Sequence, residues 1–473
     1  MIKFITTYII LLTSCIAIAQ QTTQEGLNIL SYEEYMGYVK KHHPIIKQAN
    51  LVLSQGEAKL LKSRGGFDPK IEIDFKTKEF KGIDYFDLLS GTFKVPTWYG
   101  IEFKANFEQN SGVFLNPEDD VPDEGLFSFG LTVSVLEGLL INDRAASLKK
   151  AKLFVKQSES ERELLVNQLL LDASLAYFDW VKAKNEQLIF KDYLKNADNR
   201  FRAVKRNVET GSSAAIDSIE SKIILQNRLV DLEANKLKLN EKRLKASNFI
   251  WLNNIPLELN DNIQPTLPNK LILVSTLEIE NYINQNFSID QHPKISALSS
   301  KVSGLEVDRR LKKNKLLPKL DVGYNFISSS PLETETFNTK EFKANINFST
   351  PIFLRKERAD LKLAKYKLQD ANFEQLSTKL KIENKINNGY VAINSIHKQY
   401  NIIIDMVENY KTLVKASERK YFIGESSLLS LNIYERKLIE AELKKNSMKN
   451  KLLNSRAKLF NDTGLIQHLN NIK

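Results

Sequence analysis

Apolar residues recur at helical spacing through two tracts that carry almost no helix breakers. One lies between Gly138 and Gly211 with neither glycine nor proline inside, and the other runs from Leu354 to Gly424 with only Gly389 inside. A continuous α-helix over the first would be about 105 Å long at about 1.5 Å per residue. After each closing glycine the helical period returns, over about 214–251 and about 428–461. In the second of these returning segments, three-four spacing picks up Leu431, Tyr434, Leu438, Ala441, Met448, Leu452 and Leu459, and lapses at Lys445 and Ser455. The first carries two seams side by side: Ile216, Ile219, Ile223, Val230, Leu237, Leu244, and Leu225, Leu229, Leu232, Leu239, Ala246, Ile250. A helix with two seams touches two neighbours, as a helix in the wall of a cylinder does.

Elsewhere the period switches from helical to two. The stretches PKIEIDFKTKEF (69–80), YGIEFKANFEQ (99–109) and LFSFGLTVSVL (126–136), then KLDVGYNFISS (319–329) and EFKANINFSTP (341–351), alternate apolar and polar residues and are rich in Phe and Tyr. Segments of about ten residues with this alternation are the pattern of transmembrane barrel strands, and the smallest such barrels need about eight of them. Four or five strands cannot close a pore, so several copies must share one. Each half leaves a long helix and returns to one on the same side, so each half crosses an even number of times. Three crossings in the first half break that rule, and 82–98 is read as a kinked extension or plug-like loop.

The two halves are one unit written twice. Pro44 aligns with Pro293 and Pro69 with Pro318 at a constant offset, so HHPII (42–46) and QHPKI (291–295) open equivalent segments. Pro44 and Pro293 suit the first turn of a helix, where the missing N–H costs nothing. Further on, NDRAASLKKAK (142–152) resembles KERADLKLAK (356–365), Arg144 matches Arg358, and Gly211 matches Gly424. The unit is too long for a solenoid repeat, so the two halves build one object.

Composition narrows the setting. The first twenty residues have the form of an export signal: Lys3, an apolar run from Phe4 to Leu12, and Ala17-Ile18-Ala19 as a cleavage site. LTSC (12–15) offers a second processing route, with lipidation at Cys15, the single cysteine of the 473 residues. No run of eighteen apolar residues follows, so any membrane crossing must be made by a closed barrel. The net charge of +11 is spread through helical tracts where Lys and Arg alternate with Glu and Asp, which marks solvated faces and argues against a nucleic-acid partner. The histidines at 42, 43, 292, 397 and 468 have no ligand spacing, and no metal or other cofactor is expected. NPEDDVPDEG (116–125) reads as a solvated outer loop or a weak calcium site. Ser147-x-x-Lys150 and Ser417-x-x-Lys420 lie in lysine-rich helices without a partner base, and no phosphate loop or nucleophile elbow is present, so no enzyme is expected.

The ordered set, together with LPKLDVGY, STPIF and YFIGESSLLSL, resembles the TolC-like outer membrane efflux protein family along the whole mature chain. The resemblance implies a mainly α fold with a membrane β-barrel: a homotrimer sharing a 12-stranded barrel in the outer membrane, above a long periplasmic α-helical barrel. The resulting plan is a signal peptide at 1–19 and a first repeat at 20–251, with a strand hairpin about 69–137, a long helix about 139–209 and a returning helix about 214–251. An equatorial linker at 252–292 follows. The second repeat, 293–461, has strands about 318–351, a long helix about 354–422 and a returning helix about 428–461, before a tail at 462–473. The family's glycine turns form the periplasmic tip that meets an adaptor protein, here Gly211, Ser212, Ser213 and Ile216 with Gly424, Glu425, Ser426 and Leu428. Where relatives carry carboxylates after the second glycine this chain has Ser430 and Ile433, whereas Asp217 and Glu220 hold the equivalent offsets after the first. Asp217 is expected to accept a hydrogen bond from Tyr421, giving an entrance latch of Asp217, Glu220 and Tyr421. The implied function is a passive exit duct for small molecules or a polypeptide, in outer membrane lipid, working with an adaptor and an inner-membrane transporter. An exported coiled-coil scaffold or adhesin, with the strands as a minor cap, is the alternative.

Overall fold

A computed structural model describes residues 28–269, 288–330 and 339–464. The export signal, Cys15, most of 270–292 and most of the C-terminal tail lie outside the described residues. Two compact units form, each assembled from both sequence repeats. The long helices α3 (Asp143–Glu209) and α6 (Arg355–Phe422) contribute to both. Among the described residues no helix is long and apolar enough to cross a membrane.

The first unit holds α1 (Tyr32–His42), the returning helices α4 (Ala215–Ser247) and α7 (Leu428–Thr463), and the later parts of α3 and α6. Ser31 caps α1 by accepting from the Glu34 N–H at 3.1 Å, a Ser-x-x-Glu start. The buried face of α1 (Tyr32, Tyr35, Met36, Val39) packs on an aromatic cluster from α3, with ring centroids 5.1 Å apart for Tyr32–Phe178 and 5.0 Å for Tyr35–Tyr177. These rings find polar partners, as buried hydroxyls must. The Tyr32 hydroxyl meets Ser174 Oγ at 2.8 Å, and the Tyr177 hydroxyl lies 2.8 Å from both the Leu30 and Thr266 carbonyls. Tyr177 thereby pins the two-stranded parallel sheet of β1 (Asn28–Leu30) and β8 (Ile263–Pro265); β6 (Trp251–Leu252) and β7 (Ile255–Pro256) form a small hairpin of their own.

The second unit carries the membrane-type sheet and four helices. Its strands are β2 (Lys70–Phe80), β3 (Ile83–Pro96), β4 (Ile101–Ser111), β5 (Leu126–Ser134), β9 (Lys319–Ser328) and β10 (Phe342–Ser349). They lie in the order β10-β9-β5-β4-β3-β2, every neighbouring pair antiparallel. The register lines up an apolar row across the sheet, Ile71–Phe93–Ala105–Phe129–Phe326–Phe342. The adjacent row is polar through β5, Glu72–Thr92–Asn106–Ser128. One face is therefore continuously apolar and the other mostly polar, as lipid and lumen require.

The expectation for 82–98 is corrected here: the segment is not an extension or plug but the strand β3, hydrogen-bonded on both sides. Asp87 and Gly91 interrupt its apolar face, and Phe86 and Leu88 load the other, so the period-two signal is blurred although the pairing is complete. Among the described residues this sheet thus takes four strands from the first half and two from the second. Both counts are even, and they total six per chain instead of the four that a 12-stranded trimer needs.

In the same unit α2 (Pro44–Arg64), α3, α5 (Pro293–Asn314) and α6 lie side by side. Lys59 sits 3.6 Å over the Phe154 ring and Arg162 reaches Asn50 at 2.7 Å, joining α2 to α3. Lys150–Asp308 at 2.9 Å joins α3 to α5, and Lys301–Glu374 at 2.7 Å joins α5 to α6. A small core of Ala146, Val307 and Leu311 fills the α3–α5 contact.

Candidate functional site at the helical turns

The first glycine turn ends α3. Gly211 has φ +75°, the Ser212 N–H donates to the Asn207 carbonyl at 2.7 Å, and the Gly211 N–H donates to Val208 at 3.0 Å. The second repeats it: Gly424 has φ +79°, the Glu425 N–H donates to Lys420 at 2.8 Å, and the Gly424 N–H donates to Tyr421 at 3.1 Å. Both are left-handed helix stops, in which glycine avoids the Cβ–carbonyl clash. A Cβ at either position would meet nothing within 4 Å, so the backbone angle alone demands glycine.

Around these turns Gly211, Ser212, Ile216, Gly424 and Glu425 are exposed, and Ser213 and Ser426 half-buried. Leu428 is not a surface residue: only 3 % is exposed, because it starts α7 facing the helices it returns along. The apolar surface of the second turn is made by Phe422, Ile423 and Leu429 instead. Ser427, a residue away from the expected set, caps α7 by accepting from the Ser430 N–H at 3.2 Å.

The three latch residues come together without the expected bond. No hydrogen bond links Tyr421 to Asp217; burial raises the tyrosine pKa and the charge of Asp217 adds to the rise, with Arg200 opposing both. The polar connection is made one layer further in. Arg200 on α3 grips Glu435 on α7 through two bonds of 2.8 and 3.2 Å, and reaches Glu418 on α6 at 3.5 Å. Asn432 lies 3.4 Å from Arg200 and donates to Glu220 on α4 at 3.3 Å. One guanidinium thereby ties all four helices near their turns. The Arg200 side chain is 12 % exposed and that of Glu435 only 3 %. Sequence reading missed this pair, although a carboxylate set among the seam residues Leu431, Tyr434 and Leu438 is a visible signal. Further along, the Tyr193 hydroxyl donates to Glu442 at 3.0 Å, and burial with that carboxylate pushes its pKa upward.

Among the described residues no group of three metal-ligating side chains gathers, the acidic loop after β4 included.

Comparison with known proteins agrees with this architecture. Residues 288–465 match the family described as outer membrane efflux protein. The pyoverdine export outer membrane protein OpmQ of Pseudomonas aeruginosa is 23 % identical over 339 residues, covering 70 % of this chain and 68 % of its own. Among solved structures, the CmeC outer membrane channel of Campylobacter jejuni superposes with a TM-score of 0.62 at 17 % identity, over 91 % of this chain and 85 % of that one. The outer membrane protein VceC of Vibrio cholerae gives 0.64 at 11 % identity, over 91 % and 95 %. Fold, duplicated plan and the family match over the second repeat converge: the chain resembles the TolC-like outer membrane efflux proteins, which fits a place in the outer membrane with an extension into the periplasm.

Proposed function

We propose that three copies form a passive exit duct through which an energised inner-membrane transporter, coupled by a periplasmic adaptor, expels small molecules or a polypeptide. The observation that carries this reading is apolar surface left open in a regular pattern. On α4, Ile216, Ile223, Val230, Leu237 and Leu244 recur every seventh residue and are all exposed, with Ile219 beside them. A seven-residue repeat winds as a left-handed coil against a neighbour. On α6, Leu380, Val391, Ile402 and Leu413 recur every eleventh residue and are exposed too. An eleven-residue repeat keeps nearly to one side of a straight helix. Among the described residues the sheet likewise ends in two unpaired edges, β2 and β10, which a single copy leaves open. A second copy of the chain satisfies helices and edges at once. A sheet of this size also argues against a coiled-coil scaffold with a minor cap.

In this reading the turn residues Gly211, Ser212, Ser213, Ile216, Gly424, Glu425 and Ser426 face the adaptor, and Asp217, Glu220 and Tyr421 line the entrance. The domain plan follows the repeats, with 252–292 between them. The test is cross-linking in native membranes with conductance in planar bilayers. A trimeric, detergent-extractable outer membrane protein that conducts supports the duct; a monomeric soluble rod refutes it.

A further inference from the structure

We propose that the barrel closes with eighteen strands, six from each of three chains, because the β3–β4 hairpin is a fixed part of the membrane wall. The count rests on the trimer reading above; the place of the hairpin does not. β3 is paired to β2 from Ile83 to Lys94, with one register shift, and to β4 from Asp87 to Pro96, and β4 is paired to β5 from Ile101 to Glu108. The hairpin carries both surfaces of a barrel wall. Phe93 and Phe103 stand on the apolar face. On the polar face Thr92 Oγ1 and Ser90 Oγ donate to Asn106 Oδ1 at 2.8 and 3.1 Å, Asn106 Nδ2 donates to Glu108 at 2.7 Å, and Lys94 pairs with Glu72 of β2.

Its inner turn is built into the ends of the helices. The Thr97 N–H and hydroxyl both donate to the Ile101 carbonyl, at 2.9 and 2.8 Å. Trp98 stacks on Phe67, with centroids 4.8 Å apart, and its carbonyl accepts from Asn142 Nδ2 at 3.1 Å. Gly100, at φ +68°, lies so close that a Cβ there would come within 2.7 Å of the Gly138 carbonyl oxygen. Arg144 at the start of α3 holds Glu102 at 3.2 Å. A hairpin that swung into the lumen would give up all of these contacts together with the β4–β5 ladder.

Widths explain why two extra strands fit. Each of the four helices joins one strand: α2 leads into β2, α3 follows β5, α5 leads into β9 and α6 follows β10, leaving β3 and β4 with no helix beneath. Four helices packed at about 8–10 Å span about 32–40 Å. Six strands spaced about 4.8 Å and tilted about 40° span about 38 Å, whereas four span only about 25 Å. Six strands match the helical wall below them. Barrel diameter grows roughly in proportion to strand number, to about 36 Å at this tilt against about 24 Å for twelve strands.

The test combines native mass with electron cryomicroscopy of the full-length protein in lipid nanodiscs. Three chains and eighteen strands are expected. Three chains with twelve strands would overturn the proposal and leave the trimer reading intact; another number of chains would overturn the trimer reading and with it the count of eighteen. A disulfide assay reads the wall independently. Asn106→Cys with Ser128→Cys, paired across β4 and β5, should oxidise almost fully in membranes, and Glu72→Cys with Thr132→Cys should not. The reverse pattern would mean that β2 meets β5 directly and that the hairpin lies outside the wall.

Discussion

His292 is a proton-sensitive cap whose effect can be worked out from its contacts. It precedes Pro293 at the start of α5, its Nδ1 accepts from the Lys294 N–H at 3.0 Å, and only 5 % of it is exposed. The cap requires a neutral ring, since a protonated Nδ1 has no lone pair to offer. Burial lowers its pKa from 6.5 to about 4, with the Asp462 backbone opposing. As pH falls from about 6.5 towards 4 the unfolded chain takes up a proton that the folded chain refuses, so folding weakens in that window and the loss levels off below about 4. A shift of this size corresponds to about 3 kcal/mol per chain at about 1.36 kcal/mol per unit. His292→Asn keeps a good capping acceptor and removes the titration. Glu163, which burial raises to about 7, strengthens folding as pH falls, but it is common to both proteins and cancels in their difference. Calorimetric unfolding of wild type and His292→Asn at pH 7.5, 6, 5 and 4.5 should show the variant gaining on the wild type with each step down. Equal pH slopes would refute the reasoning.

Three further outcomes follow from the turns and the open helix face. Arg200→Met strands the buried Glu435 carboxylate and should cost about 3–5 kcal/mol, most of it restored in Arg200→Met/Glu435→Leu; limited proteolysis near the turns reports the loosening, and an unrestored double variant would deny the pair its role. Gly424→Ala places a Cβ at φ +79° and should cost about 1–2 kcal/mol by thermal unfolding, with Gly424→Asn milder. Val230→Asp puts a carboxylate in the middle of the exposed α4 stripe, where 68 % of the valine is open in the single chain, and should shift native mass from trimer to monomer with the helical dichroism unchanged.

The long helices and five of the six strands were legible because each rests on a period carried by the residues themselves. No glycine or proline interrupts α3, and the alternation in β2, β4, β5, β9 and β10 survives with few exceptions. β3 escaped because Gly91 and Asp87 stand where apolar side chains would announce a strand, while partners on both sides hold it in the sheet. Parity alone showed that the strand count was wrong. The turn glycines were legible from position. Arg200–Glu435 was not, because a guanidinium and a carboxylate 235 residues apart carry no local pattern until the helices are laid together. The latch failed as a bond for a related reason: offsets from a glycine fix which turn of a helix a residue is on, but not whether a tyrosine hydroxyl reaches an aspartate or only feels its charge.

The repeated His-Pro shows what the duplication conserves. In the first copy His43 Nδ1 accepts from the Ile45 N–H at 3.2 Å, and the ring stacks on Phe249 just beyond the end of α4. In the second, His292 makes the same cap, and Gly464 at the end of α7 lies against His292 and Pro293. Each histidine therefore does two things: it closes the amino end of the short helix that leads to the strands, and it occupies the place where a returning helix stops. Proline at the next position cannot donate, so the ring nitrogen serves the following N–H. In both copies burial holds the ring below its ordinary pKa, hence neutral and able to accept. The copies diverge instead where the contacts differ, at the extra β3–β4 hairpin and at the carboxylates after Gly211. Duplication has kept the joints that set each helix under its strand, and has left the membrane wall and the entrance free to become asymmetric.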